Sequence, residues 1–258
     1  PAAAVSAAVI GLKASYASAS NTANSNIVVI NQSTTGVGIT SSALTAITVA
    51  GASTTINALN NNILVNQTTA STAGVTSAVN GIVATSAGTI TTVGSTGNGN
   101  TVNIKQAVTG SGLYGAGTVY FINAGAGHGT LVLNDNQVIT TSALRTTGTV
   151  YGISHNGTIP TSLTVNNNTV NLSFGTTGPS ILYGIYSNGS SAATTTYNVT
   201  NNNITFANTA STCTAYGLYN TDGGTTVNKV CTGNTFAISG AAVSTNGMAV
   251  GYSNAYTI

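Results

Sequence analysis

Few side chains in this sequence could carry out acid–base or metal chemistry. The chain contains two carboxylates, Asp135 and Asp222, and no Glu. Glycosidic hydrolysis requires two carboxylates that flank one bond, and a Ca²⁺ site requires several oxygen ligands. Asp135 lies beside an Asn-rich turn and Asp222 in a turn after Tyr-Gly-Leu-Tyr, so we expect that they do not meet. We predict no catalytic residue and no enzyme activity.

The other candidate ligands for a metal or cofactor are two histidines in Gly-rich contexts. His128 lies in AGAGHGT and His155 in ISHNG, and both contexts predict solvated turn histidines. The Cys and His spacing of a zinc site does not occur. The stretches TGNGNT and AGAGHG have no phosphate-loop lysine, and the sequence has no Gly-x-Ser-x-Gly elbow. We therefore predict no metal and no cofactor.

Charge is nearly missing from this chain of 258 residues, whose formal net charge is +2. Ordinary soluble domains are about 25% charged, whereas only 2% of these residues are. The four basic residues are scattered, which argues against nucleic acid as a partner. The apolar run PAAAVSAAVIGL at 1–12 is shorter than the roughly 20 residues that span a bilayer, so we predict no membrane insertion. A start at Pro1 suggests processing, and with it export.

The composition favours β-structure. Asn, Thr, Ser and Gly dominate the polar residues, and all four rank low in helix propensity. A hydrophobic content of 41%, rich in Val, Ile and Tyr, is enough to fill a core.

An internal repeat decides the architecture. An Asn followed two residues later by an apolar residue recurs in steps of 32 to 39 residues, with a weaker copy at Ser25-Asn26-Ile27. The copies begin at Asn61, Asn100, Asn136, Asn168, Asn202 and Asn234. A second marker, the glycine of Tyr-Gly-Ile motifs, recurs with a similar period at Gly81, Gly115, Gly152, Gly184, Gly217 and Gly251, with Gly38 as a weaker earlier copy.

Each repeat reads as three short strands separated by turns. In one copy they cover about 195–200, 204–207 and 214–219. Strands this short bury a face only by stacking on the next copy. We predict an all-β parallel β-helix, or β-solenoid, of about seven coils over 24–258, preceded by an Ala/Ser-rich segment, 1–23, that acts as a cap or an inter-subunit strand.

Equivalent side chains of successive coils lie roughly 4.8 Å apart in a parallel sheet. At this distance Asn amides can form a hydrogen-bonded ladder, and stacked like charges would repel each other. We predict that Ile153, Ile185 and Leu218 form an inward column. By strand alternation, a stacked tyrosine column would share their face, formed by Tyr151, Tyr183 and Tyr216.

These Asn-Asn-x-Ile and Tyr-Gly-Ile-Tyr units resemble the repeats of right-handed parallel β-helices in bacterial surface and secreted proteins. That broad family includes pectate-lyase-like and polygalacturonase-like enzymes, adhesins and phage tailspikes. The resemblance covers about residues 24–258 and implies the architecture. The catalytic residues of the enzymes find no counterpart in this chain.

The two cysteines allow two interpretations. Export would permit a disulfide between Cys213 and Cys231. However, Cys231 aligns in the repeat with Val199 and Val165, which indicates a small buried position. We favour two buried thiols.

The expected function is structural. A solenoid with open ends can stack head to tail into a fibre, so we predict a subunit of an extracellular or cell-surface filament whose partner is another copy of itself. The alternative is an adhesin or carbohydrate-binding β-helix with surface glycans as its partner. An ice-binding solenoid ranks last, because the Thr pairs do not keep a regular file.

Overall fold

The structure is a computed structural model. It describes residues 8–34, 43–69, 77–85, 88–108, 115–125, 127–158, 161–175, 179–189, 196–209, 213–221, 228–240, 244–250 and 256–257. No helix long and apolar enough to cross a membrane occurs among them.

Alternating polar and apolar residues form the strands, because period-two alternation places one face inside and the other in water. The first strands of the described chain are β1 (Val9–Ser15), β2 (Ser20–Asn24), β3 (Ile27–Thr34), β4 (Leu44–Ala50), β5 (Thr55–Leu59), β6 (Asn62–Thr69), β7 (Val79–Ala84), β8 (Ile90–Val93), β9 (Thr101–Val108), β10 (Val119–Ala124), β11 (Thr130–Asn134) and β12 (Gln137–Ile139). The others are β13 (Thr149–His155), β14 (Ser162–Asn166), β15 (Thr169–Ser173), β16 (Ile181–Ser187), β17 (Thr196–Thr200), β18 (Asn203–Thr209), β19 (Thr214–Asn220), β20 (Asn228–Thr232), β21 (Thr235–Gly240), β22 (Ser244–Val250) and β23 (Tyr256–Thr257).

Every third strand joins the same sheet, which makes the molecule a parallel β-solenoid with three sheets. Sheet A is ordered β1-β4-β7-β10-β13-β16-β19-β22, and sheet B is ordered β2-β5-β8-β11-β14-β17-β20-β23. Sheet C contains β3, β6, β9, β12, β15, β18 and β21. The predicted fold class is confirmed. The predicted strands at 195–200, 204–207 and 214–219 correspond to β17, β18 and β19.

The number of coils differs slightly from the predicted seven. Sheets A and B have eight strands each and sheet C has seven. The extra strands arise because β1 and β2 precede the repeat that the Asn marker predicts, and because β22 and β23 follow it. The sheets therefore reach into segment 1–23, where β1 pairs with β4 and β2 with β5.

The interior is a set of apolar columns that run along the solenoid axis. In sheet B, Leu131, Leu163 and Tyr197 stack in register with their side chains buried. In sheet C, apolar residues two positions after the marker Asn face inward, for example Val170 and Ile204. Burial of these columns supplies most of the stabilising free energy, because it removes apolar surface from water.

Sheet A departs from simple alternation. In β7 and β10 the third and fourth residues are both buried, and the residues on either side of this pair are half-buried. In β16 the corresponding pair, Gly184 and Ile185, faces inward, and Tyr183 lies on the outer face, where the neighbouring rings leave it only 8% exposed. The predicted inward column of Ile153, Ile185 and Leu218 is confirmed. The prediction that the tyrosines share its face is wrong, because two consecutive inward residues shift the alternation.

The glycine marker holds for some coils only. Gly152, Gly184 and Gly217 occupy equivalent positions in register. At Gly152 and Gly184 the side chain of a residue in sheet C leaves no room for a Cβ. In β10 this position is Phe121, not Gly115, because the motif-like sequence at Gly115 lies in the turn before the strand. Gly38 and Gly251 lie outside the described residues.

Candidate functional site: the asparagine ladder, the tyrosine face and the histidine pair

An asparagine ladder runs along the corner between sheets B and C. The side-chain Nδ2 of each member donates to the Oδ1 of the next at 2.8–3.0 Å. The backbone N–H donates to the same oxygen at 2.9–3.1 Å. The ladder consists of Asn26, Asn61, Asn100, Asn136, Asn168, Asn202 and Asn234, so the predicted ladder and its weaker first copy are confirmed.

Residues in the left-handed backbone conformation turn the chain just before several asparagines of the ladder. Ser25, Asn60, Asp135, Asn167 and Asn201, which directly precede ladder residues, have φ of 54–57°. Asn and Asp tolerate this conformation better than most residues. Among the described residues, Asp135 is therefore a corner residue, and its carboxylate accepts hydrogen bonds from the Gly97 N–H and the Asn167 Nδ2. We predicted that Asp222 does not meet Asp135, and Asp222 lies outside the described residues.

Within the described part of the chain, the ladder has an open acceptor at one end and an open donor at the other. Asn26 Oδ1 accepts no hydrogen bond from the described residues, because no rung precedes it there. At the opposite end the backbone N–H of Asn234 donates to none of them. The two ends are therefore complementary.

Both ends also expose apolar side chains that the rest of the solenoid buries. Val28 and Ile30 in the first coil are partly exposed, whereas Ile63 and Val65, their register partners, are fully buried. At the other end Phe236 and Ile238 are only partly buried. A cavity of about 340 Å³ opens beside Phe236, lined mostly by apolar side chains.

A tyrosine face covers the outside of sheet A. Tyr120, Tyr151, Tyr183 and Tyr216 form one stack with ring centres 4.6–5.2 Å apart. Tyr186 and Tyr219 form a second stack at 5.5 Å, in edge contact with the first. The predicted aromatic column is thus confirmed, but it lies on the outer surface. Because the rings cover each other's faces, this surface presents mainly ring edges and hydroxyls.

Three hydroxyls of the tyrosine face, those of Tyr120, Tyr151 and Tyr183, stay protonated well above neutral pH. Burial is the main cause that raises the pKa of Tyr120 and Tyr151, and it raises the pKa of Tyr183 to about 12. Neighbouring tyrosines add to this effect, because ionised phenols would repel each other. These hydroxyls therefore both donate and accept hydrogen bonds at physiological pH.

The two histidines are buried, so the prediction of solvated turn histidines is wrong. His128 is 1% exposed and His155 is 2% exposed. His155 belongs to β13, in register with the inward Ala124 and Ser187. Burial lowers the pKa of His128 to about 4 and, with a smaller contribution from His128, that of His155 to about 3. The sequence signal that could have predicted the burial of His155 is its alignment in the repeat with Ala124 and Ser187, which both face inward.

Cys213 and Cys231 are free, buried thiols, as we favoured. Cys231 pairs in register with Val199, which confirms its small apolar position. Lys229 is unexpectedly buried, at 1% exposure, with its ammonium 5.9 Å from the centre of the Tyr197 ring. Within the described part of the chain, no three His, Cys, Asp or Glu side chains gather into a metal-binding group.

Comparison with known protein families, with curated proteins and with solved structures found no match. The class of the molecule is thus defined by its fold: a three-sheet parallel β-solenoid with an asparagine ladder.

Proposed function

We propose that this protein is a structural subunit of an extracellular filament or surface fibre, and that the subunits stack head to tail. The observation that carries the proposal is the complementarity of the ladder ends. At one end of the described solenoid β3 lies at the edge of sheet C with Asn26 Oδ1 open, and at the other end β21 lies at its edge with the Asn234 backbone N–H open, so the two edges carry opposite hydrogen-bonding groups.

The apolar ends support the same contact. Val28 and Ile30 would meet the partly buried Phe236 and Ile238 of the preceding subunit, or the strands that follow them. Covering this surface provides hydrophobic stabilisation of about 25 cal/mol per Å². A contact between two different surfaces does not close, so its repetition produces a fibre.

Low charge supports close stacking. Lys13, the charged residue of the described first coil, is exposed and lies on the outer side of the strand opposite Thr48. An end-to-end contact would therefore bring few like charges together, which a stack of identical subunits would otherwise oppose.

Negative-stain electron microscopy at increasing dilution tests the proposal. We expect thin filaments with an axial repeat of roughly 34–38 Å, which corresponds to seven or eight coils at about 4.8 Å each. Val28→Glu should shorten or abolish them, because filament formation would bury an unpaired carboxylate. Val29→Glu is the matched control, since Val29 is 53% exposed and points outward from the same strand.

Two outcomes would contradict this function. Discrete rods of the wild-type protein at every concentration would rule out self-assembly by this chain. Equal filament length for both Glu variants would show that the first coil does not form the contact. Thermal unfolding of each variant checks that the solenoid remains folded.

A second candidate function is carbohydrate binding, favoured by the tyrosine face. Its hydroxyls form rows with ring spacing of 4.6–5.5 Å, and the raised pKa of Tyr120, Tyr151 and Tyr183 keeps these three uncharged at neutral pH. Sugar hydroxyls could pair with such a row along a neutral polysaccharide chain.

Co-sedimentation with insoluble cellulose or chitin tests this candidate. The triple variant Tyr151→Phe, Tyr183→Phe, Tyr216→Phe keeps the ring stack and removes three hydroxyls, and it should release the protein. Tyr16→Phe is the control, because Tyr16 is exposed and lies outside the face. Equal binding by the triple variant and the control would exclude the tyrosine hydroxyls as the site.

Localisation outside the cell and the non-enzymatic role are parts of this proposal. The proposal also includes the resemblance to one type of β-helix, the right-handed pectate-lyase-like β-helices of bacterial surface proteins. The scarcity of charge and the Asn-rich repeats support it.

A further inference from the structure

The histidine pair, His128 and His155, lies inside the corner between sheets A and B. The ring centres are 6.3 Å apart with an interplanar angle of 52°. Neither the filament contact nor the tyrosine face uses these side chains. Two buried imidazoles in a core of apolar columns therefore require a separate explanation.

A hydroxyl fixes one nitrogen of each ring and leaves the other open. His128 Nδ1 lies 2.9 Å from Thr91 Oγ1, and His155 Nδ1 lies 3.3 Å from Ser187 Oγ. Both Nε2 atoms are buried and have no hydrogen-bond partner among the described residues. Metal-binding histidines commonly have this arrangement, in which a second group orients the ring through its other nitrogen.

The separation of the rings suits one shared ion. With a metal–nitrogen bond of about 2.0–2.1 Å and a ring radius of about 1.2 Å, two imidazoles in line with one ion have centres about 6.5 Å apart. The observed distance of 6.3 Å between the ring centres is within this limit, so the rings are close enough for one ion to reach both. We propose that the histidine pair binds one monovalent copper ion between the two Nε2 atoms.

Charge selects a monovalent ion over a divalent one. The described residues place no group of three His, Cys, Asp or Glu at this corner, and Thr91 and Ser187 are neutral. The solvation cost of a buried ion rises with the square of its charge, so a divalent ion without a carboxylate is far more costly. Copper is among the metals that imidazole ligands suit.

An open groove offers a route to the site. It has a volume of about 490 Å³, and His128 contributes to its lining together with Gly127, Gly129 and Thr158. His128 therefore borders the groove.

Anaerobic titration with Cu(I) against a competing chromophoric chelator tests the proposal. The protein carries Cys213→Ala and Cys231→Val, because the buried thiols are alternative Cu(I) ligands. We expect one equivalent of copper and a raised melting temperature in its presence. X-ray absorption should report two nitrogen ligands.

Two variants test the residues. His155→Ala, which introduces the residue found at the equivalent position of β10, should weaken binding at least 100-fold. Thr91→Val should weaken it 10- to 100-fold by releasing the His128 ring. Copper binding unchanged by His155→Ala, or a lack of saturable binding by the parent protein, would overturn the proposal. Tighter binding of Zn²⁺ than of Cu(I) would also overturn it.

Discussion

Replacing Asn168 with alanine should destabilise the protein by about 3–5 kcal/mol. Asn168 is fully buried in the middle of the ladder. Its Oδ1 accepts from the Asn136 backbone N–H at 2.9 Å and from the Asn136 Nδ2 at 3.0 Å. Its Nδ2 donates to Asn202 Oδ1 at 2.8 Å and to the Leu133 carbonyl at 2.7 Å.

The magnitude follows from the groups that alanine leaves behind. The Asn136 N–H loses its acceptor, and an unsatisfied buried donor costs about 1–3 kcal/mol. Asn136 Nδ2 keeps the Val93 carbonyl, and Asn202 Oδ1 keeps the Asn168 N–H. The remaining lost bonds contribute about 0.5–1.5 kcal/mol each.

Guanidinium denaturation followed by circular dichroism measures this difference. Asn171→Ala is the matched control, because Asn171 lies on β15, the strand that directly follows Asn168, with its side chain exposed. It should change the free energy of unfolding by less than about 0.5 kcal/mol. A loss below 1 kcal/mol for Asn168→Ala would refute the view that the ladder stabilises the corner.

Three further predictions concern the core and the buried titratable groups. Gly184→Ala should cost about 1–3 kcal/mol, because its Cβ would lie 2.6 Å from the Ile204 side chain; Gly175→Ala, with no atom nearer than 3.5 Å, should be neutral by the same denaturation assay. Cys213 and Cys231 should react with a thiol reagent at pH 8 only after unfolding, because burial raises the pKa of both and that of Cys213 to about 11; fast labelling of the native protein would contradict this. Stability should fall as pH drops from 6.5 to 4, by up to about 1.4 kcal/mol per unit for each member of the histidine pair, since the folded state holds both pKa values below 6.5; pH-independent melting temperatures over this range would contradict it.

The ladder could be predicted from the sequence because its cause is local and repeated. An Asn that must satisfy the same corner in every coil recurs at Asn136, Asn168 and Asn202, and its period shows in the sequence. The buried position of the Cys231 thiol could also be predicted, because the repeat aligns Cys231 with Val199. The strands β17, β18 and β19 were predicted within one or two residues at most boundaries, because their alternation is regular.

The side of sheet A that carries the tyrosines could not be predicted in the same way. Strict alternation places Tyr183 and Ile185 on the same face of β16. In the structure, two consecutive residues of this strand, Gly184 and Ile185, face inward instead. This bend depends on packing against the other two sheets, which are distant in sequence. The inward position of Phe121 could not be predicted either, because this residue takes the place of the marker glycine in β10 while the strand register stays the same.

The sequence by itself determined the repeat, the three strands of each coil and the asparagine ladder, because stacking copies the same local requirement every 32 to 39 residues. Only the tertiary structure decided which faces are inside. His128 and His155 lie in Gly-rich stretches typical of solvated turns, yet neighbouring coils enclose both side chains. Burial is a sum over contacts from many coils, so it decides the protonation state of these rings where local sequence does not.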